Sequence, residues 1–172
     1  MLQFTIQITD HQASPFVEHS LLETVINRVL VEERIPVATI SLALVTDAEI
    51  HRINREFLGH DYATDVISFL LNDPAAGSNL FELPADECET QLFGTEVDRG
   101  INGELIVSTE TAMREAAAHG WSPQAELLLY VIHGLLHLCG YDDIPDDQRP
   151  LMRARERELL GIWGYCPAGL ES

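Results

Sequence analysis

Apolar positions recur along this chain with two periods, and each stretch ends at a turn residue. Phe4 to Ile8 alternates apolar and polar side chains, the spacing of a strand with one buried face. Leu21, Val25, Val29 and Leu30 return at helical spacing. They predict a helix that opens at Ser14-Pro15, with Ser14 as N-cap and Pro15 at the first helical position, and runs to about Arg34 before Pro36. Val37 to Val45 is rich in β-branched and apolar residues and predicts a second strand. Thr46 or Asp47 then caps a helix through Ile50, Ile53 and Phe57, which Gly59 stops. Asp65 to Leu71 predicts a buried strand.

The periodicity lapses between Asn72 and Gly100, a stretch with Pro, Gly and seven acidic residues. A segment of this length without a pattern predicts a mobile acidic insertion over 72–100. Order resumes with a strand over Gly103 to Val107 and a short helix capped by Ser108 or Thr109 and ended by Gly120. Ser122-Pro123 opens a helix that carries the apolar run Leu127 to Leu138. Asp146 or Asp147 caps a last helix, with Pro150 in its first turn and Met152, Glu156, Leu159 and Leu160 near one face. Arg149, Arg153 and Arg157 follow at intervals of four on another face. They read as a solvated row with Glu156 and Glu158 as partners, in preference to an RNA patch. The order β-α-β-α-β-β-α-α-α contains no repeat. It predicts one α+β domain over 1–172, a small mixed sheet packed against several helices.

Composition narrows the classes. No apolar run approaches the length of a membrane span. The first residues have no basic region before an apolar one, so no signal peptide is expected. Cys88, Cys139 and Cys166 are scattered and odd in number, which suits reduced thiols and a cytoplasmic setting. Cys139 reads as an ordinary small buried residue. The net charge is −18 and all ten basic residues are arginine. Such acidity opposes non-specific attraction to nucleic acid, so an RNA function needs a local basic surface.

Chemistry concentrates in His133-Gly134-Leu135-Leu136-His137-Leu138-Cys139-Gly140-Tyr141-Asp142-Asp143. Two histidines four apart on a helix share one face and can reach one metal ion. Gly140 offers a left-handed stop, after which Asp142 or Asp143 can return as a third ligand. Three protein ligands with a fourth position open describe a catalytic zinc site. The order of ligands resembles that of metzincin proteases. In those, however, the residue after the first histidine is the Glu that acts as general base, and here it is Gly134. A peptidase of that type is disfavoured.

Read with the rest of the chain, the histidine motif resembles that of the YbeY family of bacterial RNA-maturation nucleases. Ile53-Asn54-Arg55-Glu56-Phe57, Gly59-His60-Asp61 and Thr64-Asp65-Val66-Ile67-Ser68-Phe69 look like the family's second motif. Gly103 to Ser108 looks like its Gly-Asp strand, and Met152, Glu156, Leu159, Leu160 and Gly161 match its tail. The resemblance implies a metal-dependent endoribonuclease specific for single strands. It further implies action on precursor ribosomal RNA, in 16S rRNA 3′-end maturation and ribosome quality control, with the small ribosomal subunit as a partner. It also implies one zinc ion, on His133, His137 and Asp143; the family carries His at the third position. Leu58 stands where the family has Arg, and Leu70 where it has Pro. Arg52, Arg55 or the C-terminal arginines are then the candidates for holding RNA. Two rival readings are another metal-dependent hydrolase and a ribosome-associated binding factor whose metal only pins the last helices together.

Overall fold

The computed structural model describes residues 1–12, 16–71 and 100–166. Its elements are β1 (Gln3–Asp10), α1 (His19–Glu32), β2 (Val37–Val45), α2 (Asp47–Leu58), β3 (Val66–Leu70), β4 (Gly100–Ser108), α3 (Thr109–His119), α4 (Pro123–Leu138) and α5 (Arg149–Gly161). The four-stranded sheet has the order β1-β2-β4-β3. β1, β2 and β4 run parallel, and β3 lies antiparallel to β4 at one edge. This is the expected α+β class with a mixed sheet. The acidic stretch 72–99, with Cys88, lies outside the described residues, and Gly100 already belongs to β4. No described helix is long and apolar enough to cross a membrane.

Side-chain alternation sends the strands' residues to two faces. Ile40, Leu42, Leu105 and Val107 meet α1 and α4 in the larger core, while Val45, Ile67 and Ile106 meet Ile50 of α2 in a smaller one. The buried strand expected at Asp65 to Leu71 needs correction. Only Ile67 is buried there, because β3 has a described neighbour on one side only and its side chains reach the sheet's rim.

Two helix ends also differ from expectation. α1 begins at His19, after Glu18, with no side-chain cap; the expected Ser14-Pro15 start lies outside the described residues. Its far end is closed by Arg34 in the left-handed conformation (φ 56°), with Arg34 N–H on the Val31 carbonyl and Ile35 N–H on the Leu30 carbonyl. α5 begins at Arg149 after Gln148, not at an aspartate cap. The Pro145 carbonyl accepts from Gln148 and Arg149 N–H, so a backbone turn starts the helix where a side chain was expected. The caps at Thr46, Ser108 and Ser122 are as expected, Thr46 forming a reciprocal capping box with Glu49.

Glycines set how closely α4 lies on the sheet. A Cβ at Gly134 would stand 2.8 Å from Leu105 Cδ2 and 3.1 Å from Val66 Cγ2. A Cβ at Gly103 on β4 would stand 2.6 Å from Leu138 Cδ1. Both glycines therefore remove side chains from one interface. Gly134 faces the sheet, and a glutamate there would collide with β3 and β4. Its identity follows from packing as much as from chemistry.

Candidate metal centre

α4 holds His133 and His137 one turn apart, with their rings edge to face at a centroid distance of 4.6 Å. Each ring is oriented through Nδ1. His137 Nδ1–H donates to the Tyr141 carbonyl at 3.0 Å, and a carbonyl can only accept. His133 Nδ1–H donates to Glu156 Oε1 at 2.6 Å. In neutral imidazoles so protonated, Nε2 carries a lone pair. The two Nε2 atoms face each other at 3.1 Å. Two lone pairs at that distance repel unless a cation or a proton stands between them.

The turn after α4 brings the third candidate. Gly140 has φ +100°, a conformation that disfavours any side chain. Gly140 N–H bonds the His137 carbonyl and Tyr141 N–H bonds the Leu136 carbonyl, which closes the helix in a Schellman motif. The Tyr141 hydroxyl donates to Glu33 Oε2 at 3.1 Å, and Arg155 Nε donates to Glu33 Oε1 at 2.6 Å, so α1 and α5 hold the turn. Asp142 Oδ1 accepts from Ile144 N–H at 3.0 Å and is taken up by the turn itself. Asp143 instead faces the histidines, with Oδ1 3.6 Å from His137 Nε2 and Oδ2 3.9 Å from His133 Nε2. Arg149 Nε and Nη2 donate to the Asp143 and Ile144 carbonyls at 2.9 and 3.2 Å and brace this loop from α5.

Among the described residues, His133, His137 and Asp143 form the group with ligand atoms close enough to share one metal ion. A tetrahedral zinc site with bonds of about 2.0–2.1 Å places its ligand atoms about 3.3 Å apart. The Nε2 atoms, 3.1 Å apart, lie close to that value, Asp143 approaches His137 through Oδ1 at 3.6 Å and His133 through Oδ2 at 3.9 Å, and the donor set of two imidazoles and a carboxylate suits zinc-like chemistry. Burial pushes the His137 pKa down, and the neighbouring His133 adds to this while Asp143 opposes it. His137 is thereby kept in the neutral, ligating form at neutral pH.

Glu156 is the functional residue whose role the sequence does not reveal. It stands on the apolar face of α5 and pairs with an arginine of the row, as expected, but it is fully buried, with one oxygen on His133 and the other on Arg153 Nη1 at 2.9 Å. Glu158, the other expected partner, pairs with Arg155. The missed signal was a carboxylate in register with Met152, Leu159 and Leu160, because a charge on a buried face needs a partner.

Both histidines open onto a cleft of about 380 Å³ whose far wall is formed by Asn54 and Leu58 of α2 with His60, Tyr62, Thr64 and Ser68. The segments that carry the histidine motif and the second motif thus meet across one space. Asn54 of the second motif is buried, and its amide donates to the Tyr62 carbonyl at 2.8 Å to shape the loop. Leu58 lines the cleft with an apolar side chain. Arg52 and Arg55 do not line it; they are exposed on the outside of α2, near Glu56 at 3.4 Å and Asp61 at 3.9 Å respectively.

The family described as "Endoribonuclease YbeY" matches residues 3–164. The protein named Endoribonuclease YbeY from Neisseria meningitidis serogroup B is 35% identical over 128 residues, covering 74% of this chain and 66% of that protein. The chain thus matches slightly less than two thirds of the length of that relative. The protein of the same name from Exiguobacterium sibiricum is 37% identical over 141 residues, covering 81% and 82%. The solution structure of TM1509 from Thermotoga maritima superposes with a TM-score of 0.57 at 25% identity, covering 92% of this chain and 91% of that one. Since the match runs through β1, both walls of the cleft and α5, the chain belongs to the YbeY family.

Proposed function

We propose that this protein is a metal-dependent endoribonuclease specific for single strands. It acts in the cytoplasm on precursor ribosomal RNA, in 16S rRNA 3′-end maturation and ribosome quality control, with one zinc ion on His133, His137 and Asp143. The observation that carries this reading is the pair of Nε2 atoms 3.1 Å apart, each aimed by a hydrogen bond on the opposite ring nitrogen. That arrangement, with the Asp143 carboxylate beside it, suits a bound cation. The family to which the chain belongs, and the name its relatives share, support the choice of RNA.

A zinc ion bound there would supply Lewis-acid polarisation of a phosphoryl oxygen. The chain's own groups do the rest. Glu156 and the Tyr141 carbonyl keep both imidazoles in the tautomer that offers Nε2 to the cleft. The Asp143 carboxylate lowers the net positive charge relative to a site of three neutral imidazoles. Opposite them, the rings of His60 and Tyr62 stack at 5.4 Å and 10°. Tyr62 is exposed and offers a platform for an unpaired base. A duplex keeps its bases stacked inside, so such a platform favours single strands.

Cleavage of a single-stranded RNA by zinc-loaded protein, run beside identically purified His137→Ala and a duplex of the same sequence, tests the reading. Cleavage of the single strand by the parent alone is expected. Equal activity in both proteins would indicate a contaminating ribonuclease. No activity in either, with zinc bound, would favour the non-catalytic binding factor.

A further inference from the structure

Behind the metal site, α3 and α5 and the loop before β3 enclose a second groove of about 1000 Å³. Thr64 and Asp65 line both this groove and the cleft, so the two spaces adjoin across the loop before β3. Arg114 of α3 and Arg149 and Arg153 of α5 project into it, with the half-buried indole of Trp121 between α3 and α4. Resting on the proposed function, we propose that this groove binds the phosphate backbone of the RNA strand beyond the nucleotide at the metal site.

Charge is the first argument. Three of the ten arginines in a chain of net charge −18 line this one groove. Guanidinium groups match phosphate oxygens in pairs, and an indole accepts a base by stacking. Three acids also line the groove, and they are engaged, as the arginines are, Arg149 with Asp146 at 3.3 Å and Arg153 with Glu156 at 2.9 Å. Glu126 is buried and accepts from the Trp121 indole N–H, Glu115 lies 3.4 Å from Arg114, and Asp65 accepts from Val66 N–H and the Thr64 hydroxyl. Arg114 also holds Asp47 at 2.7 Å, yet its side chain stays 56% exposed.

Position is the second argument. Arg153 grips Glu156, which orients His133, and Arg149 braces the Asp143 loop. The wall that would hold phosphates is therefore the reverse side of the wall that holds the ligands. A strand lying in the groove reaches the cleft onto which the histidines open by crossing the loop at Thr64 and Asp65.

Equilibrium binding of fluorescein-labelled oligouridylates to the zinc-loaded protein tests this, using a trinucleotide and a strand of about twelve nucleotides. Arg114 contacts no metal ligand, so Arg114→Gln is the main probe. It should weaken the long strand about 3- to 10-fold, lower the slope of log affinity against log salt by about 0.7, and leave the trinucleotide unchanged. Arg114→Lys should restore most of the loss. Glu115→Gln, which removes one acid without touching Asp47, should tighten the long strand about 2- to 3-fold. An unchanged long-strand affinity in properly melting Arg114→Gln and Glu115→Gln overturns the groove. So does an equal loss for both strands, or a loss that lysine does not rescue. If the parent binds both RNAs and cleaves the long one, only the groove falls. If it neither binds nor cleaves RNA, the proposed function falls with it.

Discussion

Of the two helices that flank the cleft, α4 buries eleven of its sixteen residues and α2 only two of its twelve. The difference divides the labour of the site. On α4, packing against α1, α3, α5 and the sheet fixes the backbone, and Glu156, Tyr141 and Arg149 fix what projects from it. Ligand atoms need that rigidity, because a metal site tolerates only small errors in distance. On the other side, the loop after α2 presents exposed rings on a frame held by Asn54. That wall can adjust to a flexible strand. One wall is built to hold geometry and the other to meet a substrate.

The sharpest way to break this contrast is at the third ligand. Asp143→Ala should weaken zinc binding by more than about 100-fold, beyond the loss typical of a residue that only orients a ligand. Asp142→Ala, which loses a turn hydrogen bond, should stay within about 3-fold. Competition with a chromophoric chelator measures both, and reversed effects would move the ligand by one residue. Glu156→Gln comes next, with a loss of about 10- to 100-fold in zinc affinity and an unchanged fold by circular dichroism. Zinc affinity equal to the parent would reduce Glu156 to a packing role.

Smaller effects sharpen the same contrast in stability. Gly134→Ala should cost about 1–3 kcal/mol in urea unfolding, because Leu105 and Val66 must give way. Phe57→Ala on the exposed side of α2 should stay within about 0.5 kcal/mol. Comparable costs would mean that α2 packs as tightly as α4. The smallest effect concerns pH. Asp47 sits at the start of α2, and burial acts to raise its pKa, but hydrogen bonds from Ser108, Thr111 and Arg114 outweigh this and hold it below the ordinary value. The native state therefore binds fewer protons than the unfolded chain. The stabilisation is present above about pH 4 and is lost as pH falls through the lowered pKa. Melting temperatures across that window should fall less steeply for Asp47→Asn than for the parent, and parallel curves would refute the link.

Much of the fold was legible in the residues because its causes are local. Ser122-Pro123 opens α4, Thr46 with Glu49 opens α2, and Gly59 and Gly120 stop their helices in the left-handed conformation. Each signal acts across a few residues, through one hydrogen bond or one dihedral angle. The same reach made the histidine pair readable, since a spacing of four puts both rings on one face. Where the neighbours were distant in sequence, the reading failed. Along the chain Gly134 reads as a missing base, whereas its contact with β3 and β4 gives it a packing role. Glu156 stands 23 residues from His133, and no pattern along α5 names its partner. Most of the elements and the spacing of the histidines follow from short-range backbone geometry and are readable residue by residue. Which carboxylate aims His133, which aspartate turns to the pair and which arginines stand behind them depend on how α4, the turn after it and α5 fold against one another, a three-dimensional arrangement that no local pattern specifies.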